Sequence, residues 1–389
     1  MMFRAAAALG TAALYAAVVS CSSGPAGTAS TQAPPVTVLT KGADNGNGDI
    51  FLAPQGRQYG TGAEIVSITG KVLWFHRLPA GTFGTDFRTQ TYLGKSVLTW
   101  MQISRDGSGE GVICNARYQQ IATVRPASGY APDFHEFLIT PQNTALILAD
   151  ALGTANLTSL GLSAHQLVND GIVQEIDIKT GKLLFQWDSA GHVPYSDSHA
   201  PKPQAAQPWD WFHINAVHLD TDGNLLISSR FTWTVYKVNR RTGAVMWQLG
   251  GKHSTFALKA APGQKLDSAG EIFAFQHDPE ALGGGEYTVF DNESDGHQAM
   301  YSASRAVTIS LDLATGTATL VKSVNQPEGL AAGATGSAQT TPNGDLFVSW
   351  GGLSYFSEFS PSGKLLFNAK LPDGAATYRA YRLPWNQGT

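Results

Sequence analysis

Short apolar runs alternating with polar residues recur along the chain, each broken by a Thr-Gly or Ser-Gly pair and resumed beyond it, often up to an aromatic. The phrase reads AEIVSITGKVLWF around Thr69-Gly70, QEIDIKTGKLLFQW around Thr180-Gly181 and VYKVNRRTGAVMWQL around Thr242-Gly243. Weaker copies are VTISLDLATGTATLV at Thr315-Gly316 and FSEFSPSGKLLFNAKL at Ser362-Gly363, and a degenerate one, QQIATVRPASGYAP, carries Ser128-Gly129. The six glycines Gly70, Gly129, Gly181, Gly243, Gly316 and Gly363 stand 59, 52, 62, 73 and 47 residues apart. Six repeats of one supersecondary unit are implied.

Period-2 alternation on both sides of a glycine turn predicts a β-hairpin, because glycine supplies the positive φ that a tight turn needs. A second hairpin signal lies between the first set, in NGNGDIFLA (Gly48), DTDGNLLISS (Gly223) and TPNGDLFVSW (Gly344), with the glycine-free version TPQNTALILA. Two hairpins per unit make a four-stranded antiparallel sheet. Six such sheets around a central channel form an all-β, six-bladed β-propeller, which leaves only short protected edges. A pair of β-sandwiches gives no reason for a repeat of this length. The run ATYRAYRLPW, Ala376 to Trp385, is placed to close the ring on the first blade.

Composition narrows the class of partner. Only 14% of residues are charged, the formal charge is −4 and no Lys/Arg run occurs, so the electrostatic footprint of a nucleic-acid binder is missing. The start of the chain sets an expected compartment. Arg4 precedes sixteen uncharged, mostly apolar residues, Ala5 to Ser20, a length that suits a signal-peptide core and not a spanning helix. Val18-Val19-Ser20-Cys21 resembles the bacterial lipobox, so residues 1–21 are read as a lipoprotein leader ending at an acylated Cys21. A lipid anchor on the extracytoplasmic face of the cell membrane is the expectation, with ordinary cleavage and soluble secretion as the alternative. Residues 22–40 have the small, polar, Pro-containing composition of a tether, the globular sequence taking over from near Val36. A single propeller domain is drawn over 41–389. With Cys21 lipidated, Cys114 is the one thiol left and no intrachain disulfide can form.

The innermost strand of each blade lines the channel, so residues at equivalent repeat positions converge on the axis. His135, His213 and His277 each precede a second-hairpin signal, and a further unit offers Ser337 and Gln339 instead. Arg230 ends the run Asn224 to Arg230 in a sequence poor in charge. A guanidinium at the end of an inner strand calls for an anion. Imidazoles with an arginine suit an oxyanion ester. Three histidines can also hold Zn or Cu, but an arginine beside a dication is electrostatically awkward, so no metal is assigned. Gly283-Gly284-Gly285 lacks the Gly-Lys-Ser/Thr ending of a phosphate loop and reads as a turn. Trp209, Trp211, Phe212, Trp233 and Trp350 are candidates either to sandwich an aromatic substrate or to pack the blades. His192 and the Pro/Ala-rich insert Tyr195 to Asp210 are candidates for a loop over one channel mouth.

The stretches GKSVLTWMQ (Gly94 to Gln102), DFHEFLITPQNTALIL (Asp133 to Leu148), WDSAGHVP (Trp187 to Pro194), Phe212 to Phe256, FAFQHDPEA (Phe273 to Ala281) and FDN (Phe290 to Asn292) resemble the arylsulfotransferase family. The closest likeness is to its actinobacterial and fungal branch. The resemblance implies a six-bladed propeller that moves a sulfuryl group from an aryl sulfate donor to a phenolic acceptor, without a nucleotide sulfate donor or any cofactor. It implies that His277 is the nucleophile that becomes transiently sulfated. It implies that His213, Asn215 and Arg230 bind the sulfate, and that His135 is a further active-site histidine. The chain departs from some periplasmic members in having no disulfide pair.

The residue types permit that chemistry on their own terms. An unprotonated imidazole is a competent nucleophile, and a nearby Arg230 favours the neutral form of His277. Sulfuryl transfer spreads charge over equatorial oxygens, so positioning and electrostatic stabilisation should dominate. His135 is placed to protonate the leaving phenol and then to deprotonate the acceptor. Two other readings compete. A non-catalytic binding platform or scaffold at the cell surface would not need these four residues in the channel, and a quinone-dependent dehydrogenase lacks an acidic Ca-binding constellation in this sequence.

Overall fold

The computed structural model describes residues 32–41, 46–56, 58–204 and 207–385. The leader and Cys21 lie outside them. Six antiparallel sheets are arranged in the order of the chain as the blades of a propeller. The inner strands are Ala375–Leu383 in the first blade, Thr82–Tyr92 in the second, Ala131–Ile139 in the third, Ile214–Leu219 in the fourth, His277–Gly283 in the fifth and Ser337–Thr340 in the sixth.

The ring closes from both ends of the described chain. Ala375–Leu383 pairs with Asp49–Gly56 as the innermost strand of the first blade, as the run ending at Trp385 led one to expect. Thr37–Thr40, within the stretch read as tether, pairs with Leu365–Lys370 as a fifth, outermost strand of the sixth blade. Ala257–Ala260 adds a parallel fifth strand outside the fifth blade, and Trp209–Asp210 pairs in parallel with Gln166–Asp177 of the third.

Five of the six repeat glycines sit at the outer hairpin turns, with positive φ at Gly70, Gly181, Gly243, Gly316 and Gly363. Gly129 does not. It lies in the connection between Gln120–Val124 and Ala131–Ile139, and the outer turn of the second blade is Asn115 to Gln119, with Tyr118 at φ 61°. A turn that uses a non-glycine residue in the left-handed region is invisible to a glycine search. The aromatics that end the repeats fill the gaps between blades. Trp187 packs between the third and fourth blades, Trp247 between the fourth and fifth, and Phe367 between the sixth and first. Six apolar clusters of buried residues occupy the six interfaces, so each blade is held by its neighbours' side chains. Cys114 is buried and free, its thiol pushed up to about 11 by burial, and the described residues contain no disulfide.

Pairing along the inner strands is regular only in the sixth blade. Elsewhere the register slips near Asp86 and Phe87, near residues 133–136, at Asn215, at Asp278 and Pro279, and near Tyr378 and Arg379. A β-bulge bends the strand and re-aims side chains, where a regular strand would send consecutive residues to opposite faces. These five bulges shape the upper channel.

Candidate active site

The three channel histidines meet at the end of the channel where the inner strands begin. The His135 ring lies 5.2 Å from His213 and 6.2 Å from His277, centroid to centroid. Each is anchored through Nδ1. His135 Nδ1 faces both carboxylate oxygens of Asp133 at 2.8 and 2.9 Å, and its backbone N–H donates to the same carboxylate at 2.8 Å. Burial pushes the Asp133 carboxyl up to about 7. Burial, and then the neighbouring His213 and Arg379, hold His135 well below the usual imidazole range.

His213 takes its partner from the Pro/Ala-rich insert, whose end supplies Asp210 at 2.5 Å from Nδ1. His213 itself adopts φ 52°, uncommon for a residue with a side chain, and its carbonyl accepts the Arg230 N–H at 3.0 Å. The insert is pinned beside the turn that carries Arg230. His199 donates its backbone N–H to the Phe231 carbonyl at 2.7 Å and stacks on Trp233 at 3.8 Å, and Lys252 donates to the carbonyls of Ser196 and Ser198. His192 is outside this group. It is exposed and stacks on Trp187 in the outer strand of the third blade.

The tautomer of His277 follows from its partner. Asn292 Nδ2 donates to the carbonyls of Ala332 at 3.1 Å and Thr335 at 3.0 Å, so its Oδ1 is the atom facing His277 Nδ1 at 2.6 Å. An acceptor there places the ring proton on Nδ1 and the lone pair on Nε2. The Thr335 N–H points at that nitrogen from 3.3 Å, with Thr335 at φ 63°. His277 is held well below its ordinary range, mainly by burial, then by His135 and Arg230. Arg230 therefore contributes as the sequence led one to expect, but third in order.

Arg230 is buried, and among the described residues no carboxylate pairs with it. One Nη donates to the Gly333 carbonyl at 2.5 Å, Nε has no partner, and the guanidinium lies over Phe231 and Phe275 at 4.9 and 5.4 Å. Burial pulls it down to about 10. A buried guanidinium with donors to spare is a site for an anion. Asn215 Nδ2 donates to the Gln276 carbonyl at 2.7 Å, while its Oδ1 is buried without a partner. That bond braces the residue before His277 and leaves one N–H of the amide free.

Of the aromatics considered from sequence, Trp209, Trp211 and Phe212 belong to the core between the third and fourth blades, and Trp350 to that between the fifth and sixth. Trp233 packs on Phe275 and His199. The rings that flank the histidines are others. Phe134 stacks on His135 at 4.0 Å, Tyr378 stands edge-on to His135 at 5.4 Å, and Phe231 stands edge-on to His213 at 5.2 Å. Asp133, Asp210, Asn292, Thr335 and Tyr378 escaped the sequence reading. Asp133 and Asp210, two and three residues before their histidines, carried a local signal that could have found them. Ser337 and Gln339 turn away from the imidazoles and donate to the carbonyls of Ala380 and Arg382.

Below the histidines the channel is filled by ions. Glu136, His218 and Asp278 offer three buried donor atoms within 4.8 Å of one another, a set suited to a metal by donor type. Arg379 Nη1, however, lies 2.8 Å from Glu136 Oε2 and 3.3 Å from Asp278 Oδ1, the two oxygens a metal would need. His218 Nε2 faces the same oxygens from 3.2 and 3.3 Å. Burial lowers His218, but Glu136 and Asp278 outweigh it and bring the imidazole up to about 10. Protonated His218, Arg88 and Arg379 then offset Asp86, Glu136 and Asp278, while burial pushes the neighbouring Glu280 carboxyl up to about 7. The cation places are filled by side chains. Beyond this layer Arg88, Glu280 and Tyr381 line a cavity of about 590 Å³ nearer the inner-hairpin turns.

Residues 88–371 match the arylsulfotransferase (ASST) family. No curated protein sequence matches the chain. Among solved structures, a protein of unknown function from Bacteroides caccae is 14% identical, with 86% of this chain and 99% of that one covered and a TM-score of 0.49. Virginiamycin B lyase of Staphylococcus aureus is 9% identical over 85% and 88% of the two chains, with a TM-score of 0.40. Hydrazine synthase of Kuenenia stuttgartiensis is 11% identical over 88% and 81%, with a TM-score of 0.43.

Proposed function

The chain belongs to the arylsulfotransferase family, and from that premise we propose that it transfers a sulfuryl group from an aryl sulfate to a phenol by a ping-pong reaction through N-sulfohistidine at His277. The observation that carries this reading is the lone pair of His277 Nε2 within electrostatic reach of a buried guanidinium, Arg230, that pairs with no carboxylate among the described residues. Nε2 attacks sulfur, the N–S bond forms as the S–O bond to the aryl group breaks, and the phenolate leaves with the electron pair. Arg230, with His213, stabilises charge on the equatorial oxygens. In the second half-reaction the acceptor oxygen attacks sulfur and the pair returns to Nε2.

His135 handles the proton in each half. With the aryl sulfate bound it takes a proton from water and gives it to the leaving phenolate, and it then takes the proton of the acceptor phenol, which returns to water before the next donor binds. At rest its imidazole is mostly neutral, as its lowered pKa requires. A sulfate monoanion beside it raises that pKa by direct charge attraction. Phe134, Tyr378 and Phe231 provide faces and edges for an aryl ring.

The test is turnover of 4-nitrophenyl sulfate by residues 32–389, with and without phenol, followed by intact mass. Nitrophenol release that rises with phenol, and a sulfuryl adduct on the protein when phenol is omitted, are expected. A folded protein that turns over none of several aryl sulfates would favour the binding-platform reading. The leader supports a second element of the proposal, that the propeller works outside the cytoplasm on an acyl anchor at Cys21. Cells fed radiolabelled palmitate should label the protein, and Cys21→Ser should abolish the label. Labelling that survives Cys21→Ser would remove the anchor from the proposal.

A further inference from the structure

Arg379 sits on the ring-closing strand beside Tyr378, and its bonds reach the strands at or next to all three histidines. It is buried. Nη1 lies 2.8 Å from Glu136, the residue after His135, and 3.3 Å from Asp278, the residue after His277. Nη2 donates to the Asn215 carbonyl at 3.1 Å, two residues after His213. Nη1 also lies 3.3 Å from Asp86 of the second blade, and the guanidinium covers Tyr378 at 5.1 Å. One planar group therefore joins inner strands of four blades to its own. The bulges make this possible, since they let His135 with Glu136, and His277 with Asp278, both serve the channel, the histidine in the upper layer and its successor in the charged layer beneath.

We propose that Arg379 is a positioning residue for sulfuryl transfer, fixing the mutual placement of His135, His213 and His277 and supplying the charge that keeps the layer beneath them neutral; this rests on the reading of His277 as nucleophile. Two physical points support it. A guanidinium holds several acceptors in a fixed fork, which an ammonium cannot reproduce. Its charge is also felt by the imidazoles, because Arg379 is among the groups that lower both His135 and His277. The titratable and charged groups facing it are Asp86 and Arg88 of the second blade, Glu136 of the third, His218 of the fourth, Asp278 and Glu280 of the fifth, and Tyr378 and Tyr381 on its own strand. Removing Arg379 leaves the carboxylates in excess and pulls both imidazoles upward. The arrangement also argues against a metal in the Glu136–His218–Asp278 set, since a dication would have to displace the His218 proton and stand against the Arg379 guanidinium on the same two oxygens.

Arg379→Lys and Arg379→Met separate geometry from charge. Arg379→Lys should lower kcat by about 10-fold to 100-fold, on the scale of a misplacement near the chemistry, with little change in KM and the acid limb of the pH profile in place. Arg379→Met should lose at least as much and move the acid limb upward by about one pH unit. Glu136→Gln combined with Arg379→Met removes the charge imbalance, so it should return the acid limb but not kcat, and it serves if the single variant fails to fold. Added EDTA should leave all rates unchanged. A folded Arg379→Met with wild-type kcat and acid limb, or a rate that EDTA abolishes and Mn²⁺ restores, would overturn the proposal. If the wild type turns over no aryl sulfate, histidine pKa values measured by NMR decide the matter independently. They should rise in Arg379→Met and stay in place in Arg379→Lys, and a rise in neither would overturn it.

Discussion

Replacing His277 by alanine is expected to lower kcat/KM for an aryl sulfate by about 10⁴-fold or more, the scale seen when a covalent nucleophile is removed. His135 and His213 also hold Nδ1 against acceptors, the carboxylates of Asp133 and Asp210, so whether either replaces His277 is read from the adduct itself. The variant should bind donor, keep its melting temperature and show no sulfuryl adduct by intact mass. Activity within 10-fold of wild type, or an adduct that persists on another histidine, would show that the nucleophile is elsewhere. The wild-type pH profile offers a second check with the sign already set. Burial lowers the His277 pKa, so the neutral, reactive form persists as pH falls below 6.5. The acid limb of adduct formation should lie well under that value, where an imidazole in water would place it near 6.5. A limb at 6.5 or above would contradict the buried site.

Arg230→Met should cost about 10² to 10³ in kcat/KM, the usual loss when one preorganised donor to a transition-state anion is removed. The same change should not lower stability. A structural arginine has a carboxylate partner, and breaking a buried pair destabilises a protein by about 3–5 kcal/mol. Arg230 has none among the described residues. Burial pulls its pKa down to about 10, which disfavours the charge by about 3 kcal/mol before any ligand arrives. A methionine fills similar space beside Phe231 and Phe275 without that cost. Low activity together with an unchanged or higher melting temperature is the expected result, measured by steady-state kinetics and thermal unfolding. A drop of many degrees with activity intact would make Arg230 a structural residue. Inorganic sulfate should raise the melting temperature of the wild type and not of the variant, because only the wild type gains from pairing that charge.

The repeat was legible because a hairpin turn is a local event. Five outer turns needed a residue at positive φ and used glycine, and the alternation on either side marked the strands. The second blade departs from the pattern because Tyr118 takes the left-handed position of its outer turn, and the Ser-Gly pair at Gly129 lies in the neighbouring connection. Ring closure by Ala375–Leu383 was also readable, since a lone alternating run after the last unit has one vacant place. The added edge strand Thr37–Thr40 was not, because its four residues carry no hairpin partner in sequence.

The chain by itself determined the fold class, because hairpin turns recur at a repeated address, and the family, through the resemblance of its stretches; it also set three histidines at matching repeat positions, which the structure brings to within 5.2 and 6.2 Å of His135. Only the tertiary structure decided which groups hold them. Asn292 sets the tautomer of His277 from 15 residues away, and Arg379 reaches Glu136 across 243 residues. Neither partner has a periodic signal: the inner hairpin of the fifth blade brings Asn292 to His277, and the closing of six sheets into a ring brings Arg379 to Glu136. The bulges were equally silent. Alternation assigns consecutive residues to opposite faces, whereas the slipped register lets His135 with Glu136, and His277 with Asp278, serve two layers of one channel.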